Sequence, residues 1–260
     1  MRTIIVPVDF SEVSYHAAEY AAEMYYHLPN AKVILYHHST SEDDRQAALS
    51  LLESLKSQLE SKVFNLEILV DIGSTFIDRL SHLAKEMDAH LIIMGLTGKS
   101  NRSLRFSGGN TLKMTEKGIC PILVVPPGAK FNKIRNVLIT SEMKSIEESH
   151  ALGPVKEVLE EFKPHVHILN VDSTHYISIT EDYKKERDKM EAQLAQFHPQ
   201  FYFMRLFDFH ESVNLFAKDK HIDMIIIAPK HHSFFEKLFK VQHAKELIYQ
   251  TDIPVLTIQD

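Results

Sequence analysis

Residues 88–95 read DAHLIIMG and residues 221–228 read HIDMIIIA. Each is a short apolar run entered through polar residues, and each is followed by a proline at the same distance. Gly95 lies 26 residues before Pro121 of CPILVV, and Ala228 lies 26 residues before Pro254 of IPVLTI. Equal elements at equal spacing mark the chain as a tandem duplication. The seam falls at Pro126-Pro127-Gly128, where paired prolines disfavour a continuing helix or a central strand. The expected domains are therefore 1–127 and 128–260.

The remaining apolar runs fit the same plan. In the first half they are 3–8 (TIIVPV), 32–37 (KVILYH), 66–70, 90–94 and 122–125; in the second, 135–140, 165–171, 201–207, 222–227 and 254–258. Between them lie longer segments with helical spacing, such as Ala17, Ala18, Ala21, Ala22 and Tyr25, or Ala47, Leu51, Leu52, Leu55 and Leu59. Strands that alternate with helices predict an α/β fold of two tandem doubly wound domains, each a parallel sheet covered by helices on both faces. Continuous rather than alternating apolarity places those strands in the interior.

Composition excludes several functions. The 260 residues are 44% apolar, enough for two cores, and the charges divide evenly: 12 basic against 15 acidic in 1–127, then 17 against 20, so each half is net −3. No basic block exists to meet a nucleic-acid backbone. The single cysteine, Cys120, rules out an internal disulfide framework and fits a reducing compartment. No apolar run approaches the roughly 20 residues of a membrane span, and MRTIIVPVDFSE reaches Asp9 too early for a signal peptide. A cytoplasmic protein without a membrane or nucleic-acid partner is expected.

Four of the chain's eight glycines, Gly95, Gly98, Gly108 and Gly109, fall within 94–111, MGLTGKSNRSLRFSGGNT. Residues without a Cβ let backbone N–H groups approach phosphate oxygens closely. In an open doubly wound sheet, ligands bind beyond the carboxyl ends of the strands where the strand order reverses. With the first strand central and the fourth beside it, Pro7, Val8 and Asp9 leave one side of that crevice, and Met94, Gly95, Thr97 and Gly98 leave the other. Gly108, Gly109, Asn110 and Thr111 open the next helix, whose free N–H groups suit an anion. Asp9 is the candidate acceptor for ribose hydroxyls, and Lys99, Arg102 and Arg105 are candidates for neutralising phosphate. His38, ending the second strand, belongs near the same crevice.

Competing motifs fail on spacing. Gly98-Lys99-Ser100 resembles the end of a Walker A loop, but Ile93 stands where that loop needs its first glycine. Ser107-Gly108-Gly109 resembles the SGGxDS loop of pyrophosphate-releasing enzymes, but it follows the fourth strand and has Thr111 in place of the aspartate. Sixteen histidines, including His37-His38, His165/His167 and His231-His232, raise a metal reading, yet no HExxH or Cys/His zinc spacing occurs and adjacent strand histidines point to opposite faces. They are read as structural or solvent-facing, with His38 the exception, and no metal ligand set is assigned. Cys120, before Pro121, reads as a small buried apolar residue. EDYKKERDKME at 181–191 reads as a solvated helix face.

These residues resemble the universal stress protein family. Gly95, Gly98 and Gly108 meet the glycine spacing of its G-x2-G-x9-G-(S/T) signature, with the opening IVPVDFS and the closing CPILVVP also similar; Gly109 stands where the family prefers Ser or Thr. That hydroxyl contact then falls to Asn110 or Thr111. The resemblance implies five parallel strands per domain in the order 3-2-1-4-5, with ATP, or AMP or ADP, at the switch point and Mg2+ as an optional companion. It places Pro7, Val8 and Asp9 beside adenine and ribose, and Met94, Gly95, Gly98, Gly108 and Gly109 near ribose and phosphates. It also implies an intramolecular pseudo-dimer through strands 122–126 and 254–258, covering their edges, with room for a further homodimer.

In the second half the frame reads Ala228, His231 and Val241 where the glycines stood, and Thr140-Ser141-Glu142 leaves the first strand. Because that half forms the same elements without them, the glycines are expected to serve a ligand rather than the fold. One nucleotide per chain follows. The functional expectation is a non-enzymatic, stress-responsive nucleotide-binding protein. The alternatives are a slow ATP hydrolase or phosphotransferase using the same site, and a dimerisation module with a vestigial pocket.

Overall fold

The computed structural model describes residues 1–96, 107–141, 143, 146, 151–172, 180–205, 209–227, 248–249 and 251–258. The chain divides into two compact units, Met1–Asn132 and Lys133–Asp260. Residues 128–132 go with the first unit, where Phe131 meets Tyr20 edge-on with ring centroids 5.5 Å apart.

The first unit runs β1 (Arg2–Pro7), α1 (Glu12–Met24), β2 (Ala31–Ser39), α2 (Arg45–Leu59), β3 (Leu66–Ile72), α3 (Phe76–Glu86), β4 (Leu91–Gly95), α4 (Ser107–Lys117) and β5 (Ile122–Val125). Its strands pair in parallel in the order β3-β2-β1-β4-β5. The second unit runs β6 (Asn136–Thr140), α5 (Leu152–Phe162), β7 (His165–Asp172), α6 (Glu181–Gln193), β8 (Gln200–Arg205), α7 (Phe209–Asp219), β9 (Met224–Ile227) and β10 (Val255–Thr257). Its order is β8-β7-β6-β9-β10, the same topology, again parallel.

The β-branched runs form the central strands because both of their faces are covered. Ile4, Ile5 and Val6 of β1 and Ile92 and Ile93 of β4 are fully buried, each contributing about 1.5–3 kcal/mol relative to exposure. The outer strand β3 differs from expectation: only Leu66 and Val70 are buried, since nothing pairs with its far edge among the described residues. Right-handed crossovers put α1 and α2 on one face of the sheet, and the reversal between β3 and β4 puts α3 and α4 on the other.

Helix α1 starts at Ser11, whose side chain accepts from the Ser14 N–H, and it turns Ala17, Ala18, Ala21 and Ala22 inward. Small side chains let it lie close to the sheet. On α2 the buried stripe is Ala48, Leu52, Leu55 and Leu59, at i, i+4, i+7 and i+11. Leu51, expected in that stripe, is 45% exposed. Helix α6 buries only Met190, as its charge pattern predicts. No described helix is long and apolar enough to cross a membrane.

Candidate functional site

At the carboxyl ends of β1, β2 and β4, where the strand order reverses, lies a cleft of about 250 Å³. Eight of the residues singled out from the sequence line it: Pro7, Val8, Asp9, His38, Met94, Gly95, Asn110 and Thr111. Gly108 and Gly109 sit in the first turn of α4. Thr97, Gly98, Lys99 and Arg102 lie outside the described residues, as do Ala228, His231 and Val241. Five further residues complete the lining: Ser11, Val13, Ser14, His37 and Phe76. Of these, only Ser11 and Ser14 carried a local signal, because Asp-x-Ser-x-x-Ser after a strand is a helix-start pattern.

Three helices begin at this cleft. α1 contributes Val13 and Ser14, α3 contributes its first residue Phe76, and α4 contributes Asn110 and Thr111. Unpaired N–H groups at helix starts carry partial positive charge, so the rim favours an anionic ligand. No acidic residue stands in the first turn of α4 to compete for those groups.

Asp9 is held by its neighbours. Its Oδ1 accepts from the Ser11 N–H at 3.1 Å and the Ser11 hydroxyl at 2.5 Å, and its own N–H donates to Ser14 Oγ at 3.3 Å. Both bonds from Ser11 fall on Oδ1 and leave Oδ2 outside them. Burial pushes the Asp9 carboxyl up, but the bonds from Ser11 and Ser14 outweigh it, and the net pKa lies below the ordinary carboxylate value. The cleft therefore presents an ionised carboxylate with one oxygen engaged and the other open to a donor.

Opposite Asp9, the Thr111 hydroxyl donates to the Gly95 carbonyl at 3.1 Å. Its only hydrogen is used there, so of the two side chains expected to replace the missing Ser or Thr contact, exposed Asn110 is the one with donors to spare. Gly95 itself has a protein-internal reason to be glycine. A Cβ built on it would meet the Val13 carbonyl oxygen and Val13 Cγ1 far inside van der Waals contact. The expectation that every glycine of this stretch serves a ligand is corrected at Gly95: the close approach of α1 to β4 requires it. Around Gly109, by contrast, a Cβ would find nothing within 4 Å among the described residues.

His38 places its ring edge-on to Phe76 at 6.0 Å, and its Nε2 is buried without a hydrogen-bond partner among the described residues. Behind Phe76, the Tyr36 hydroxyl donates to Asp71 Oδ2 at 3.1 Å, and Arg79 grips both oxygens of Asp71. The Arg79 guanidinium holds the Asp71 carboxyl below its usual range, while burial pushes the Tyr36 phenol up. This ties β2, β3 and the start of α3 together beneath the cleft. Among the described residues no three His, Cys, Asp or Glu side chains converge as a metal site. Burial pushes the Cys120 thiol up to about 12, which leaves it without nucleophilic thiolate near neutrality.

The profile of the Universal stress protein family matches residues 1–126, the whole of β1 to β5 with the cleft. Residues 1–126 are a universal stress protein domain. Over the full length, the chain is similar to a universal stress protein from Archaeoglobus fulgidus, with 14% identity, 99% of this chain and 98% of that one covered, and a TM-score of 0.72. A putative universal stress protein from Pseudomonas aeruginosa is 11% identical, covering 100% of this chain and 93% of that one, with a TM-score of 0.68. At those identities the likeness concerns the fold, and it extends through the second unit. A universal stress protein in complex with cAMP matches 48% of this chain and 96% of its own, at 23% identity and a TM-score of 0.40. Among curated proteins, none matches the chain. In this universal stress protein domain, the cleft lies at the switch point of the strand order, the position at which open doubly wound sheets in general bind ligands.

Proposed function

We propose that the universal stress protein domain binds ATP or a related adenine nucleotide, AMP or ADP, with Mg2+ as an optional companion. The protein then acts as a non-enzymatic regulator in the cytoplasm, with occupancy of the cleft biasing its conformation or its choice of partner in a stress response. The observation that carries this reading is the open Oδ2 of Asp9, an ionised acceptor in a cleft rimmed by helix N-termini. A carboxylate facing helix starts suits a ligand with hydroxyl donors at one end and negative charge at the other, which describes a nucleotide.

In this reading Val8, Met94 and Phe76 supply apolar contact to the base, Asp9 takes ribose hydroxyls, and Gly109 and Asn110 face the phosphates. Thr97, Gly98, Lys99 and Arg102 complete the phosphate loop. The second unit is a scaffold or a divergent ligand site. The experiment is identification of the small molecule released when freshly purified protein is denatured, followed by equilibrium titration with ATP. An adenine nucleotide near one per chain is the expected result. Protein that carries none and shows no saturable ATP binding overturns the reading.

A further inference from the structure

The sequence drew attention to His38, but the geometry points to its neighbour. We propose that His37 is the positioning residue of the cleft: it holds the exit of β1, and Asp9 with it, in the shape that receives the ligand. The proposal deepens the nucleotide reading and rests on it for the identity of the ligand.

Asp9 is flanked by Val8 and Phe10, and His37 holds both. His37 Nδ1 lies 2.7 Å from the Val8 carbonyl oxygen. A carbonyl only accepts, so Nδ1 carries the hydrogen and donates. The face of the same ring stacks on Phe10, with centroids 4.4 Å apart and planes at 29°. Phe10 has φ 63, a left-handed conformation that a bulky residue adopts only when its surroundings hold it there. One imidazole thus secures the backbone on either side of the carboxylate.

The second unit supplies an internal control. Pro7 pairs with Tyr36 across β1 and β2, and Thr140 pairs with Leu169 across β6 and β7. In that register Ser141 corresponds to Val8, Asn170 to His37 and Met143 to Phe10. Asn170 Nδ2 donates to the Ser141 carbonyl at 2.8 Å, and Met143 has φ 52. The two units therefore build the same turn with the same strut, using different side chains. Histidine and asparagine both present an Nδ–H two bonds beyond Cβ, which is why either can fill the position. A strut kept across two units whose cleft residues differ belongs to the chain reversal itself. In the first unit that reversal carries Asp9.

One spectroscopic consequence follows. In the neutral ring, Nδ1 is the protonated nitrogen of His37 and Nε2 is left as an acceptor. Long-range proton–nitrogen correlation on the full chain at mildly alkaline pH tests this directly, with His37 assigned by its absence in His37→Asn. A protonated Nδ1 is expected; a protonated Nε2 overturns the proposal. The second arm measures ATP binding by His37→Asn and His37→Leu. His37→Asn, which restores the bond seen in the second unit but not the stack on Phe10, is expected to lose clearly less affinity than His37→Leu. His37→Leu is expected to lose about tenfold, the loss of roughly one hydrogen bond. Equal loss in both variants, or no loss in His37→Leu, overturns it. If the wild type binds no adenine nucleotide, the reading of the cleft fails, and the tautomer alone decides the strut.

Discussion

At the scale of the residue, Asp9 and two glycines separate what the fold needs from what a ligand needs. Asp9→Asn keeps an oxygen for Ser11 but replaces the open Oδ2 with an N–H donor. Nucleotide affinity is expected to fall about 10- to 100-fold, the equivalent of a lost charge-assisted bond, with folding retained; isothermal titration checks it, and unchanged affinity contradicts the ribose role. The same carboxyl gives a pH signature. Because its pKa is lower in the folded chain than its ordinary 3.8, its contribution to stability is present above that value and is lost as pH falls through the folded value. Denaturant melts at pH about 3 and about 6 are expected to show a smaller acid loss in Asp9→Asn than in the wild type.

The glycines make opposite predictions. Gly95→Ala forces a Cβ into the Val13 backbone and is expected to cost about 1–3 kcal/mol. Gly109→Ala meets no described atom within 4 Å and sits in a helix, where alanine is favoured over glycine by about 0.5–1 kcal/mol, so the chain is expected to gain stability while ligand affinity falls. Thermal melts of the two variants measure this contrast. If Gly109→Ala leaves affinity untouched, that position does not face phosphate.

At the scale of the element, the strands were legible because buried parallel strands are written as continuous β-branched runs. TIIVPV, HLIIM and ILVV all reappear as strands within a residue or two. The expected order 3-2-1-4-5 is the order observed in each unit. What could not be read was the far wall of the cleft. Phe76 arrives there only because α3 begins at the end of β3, a placement that depends on tertiary packing rather than on its neighbours in sequence. From the sequence His37 reads as structural or solvent-facing, and His38 as the cleft histidine because it ends the second strand. Both His37 and His38 line the cleft nonetheless, since β2 continues to Ser39 and side chains from either face reach the rim near a strand's end. The start of α1 is testable in the same terms. Ser11→Ala removes the cap from Ser14 and the hydroxyl bound to Asp9, with an expected loss of about 1 kcal/mol in a denaturant melt. A weaker grip on the nucleotide is expected alongside it. A melt indistinguishable from wild type contradicts the capping role.

At the scale of the whole molecule, one topology is built twice, and the two copies differ in sequence at the exit of their first strand. Both units use a left-handed residue and a side-chain strut at the exit of their first strand, which makes those features properties of the fold. The aspartate is different: Asp9 follows Val8, whereas Glu142 follows Ser141. The proposal of one nucleotide per chain rests on this repeat of the fold with a different side chain at the aspartate position. The most direct measurement is the stoichiometry of ATP binding to the full chain, by calorimetry with the wild type and Asp9→Asn in parallel. One site per chain is expected in the wild type, weakened by Asp9→Asn. Two equivalent sites, or a single site indifferent to Asp9→Asn, would contradict it.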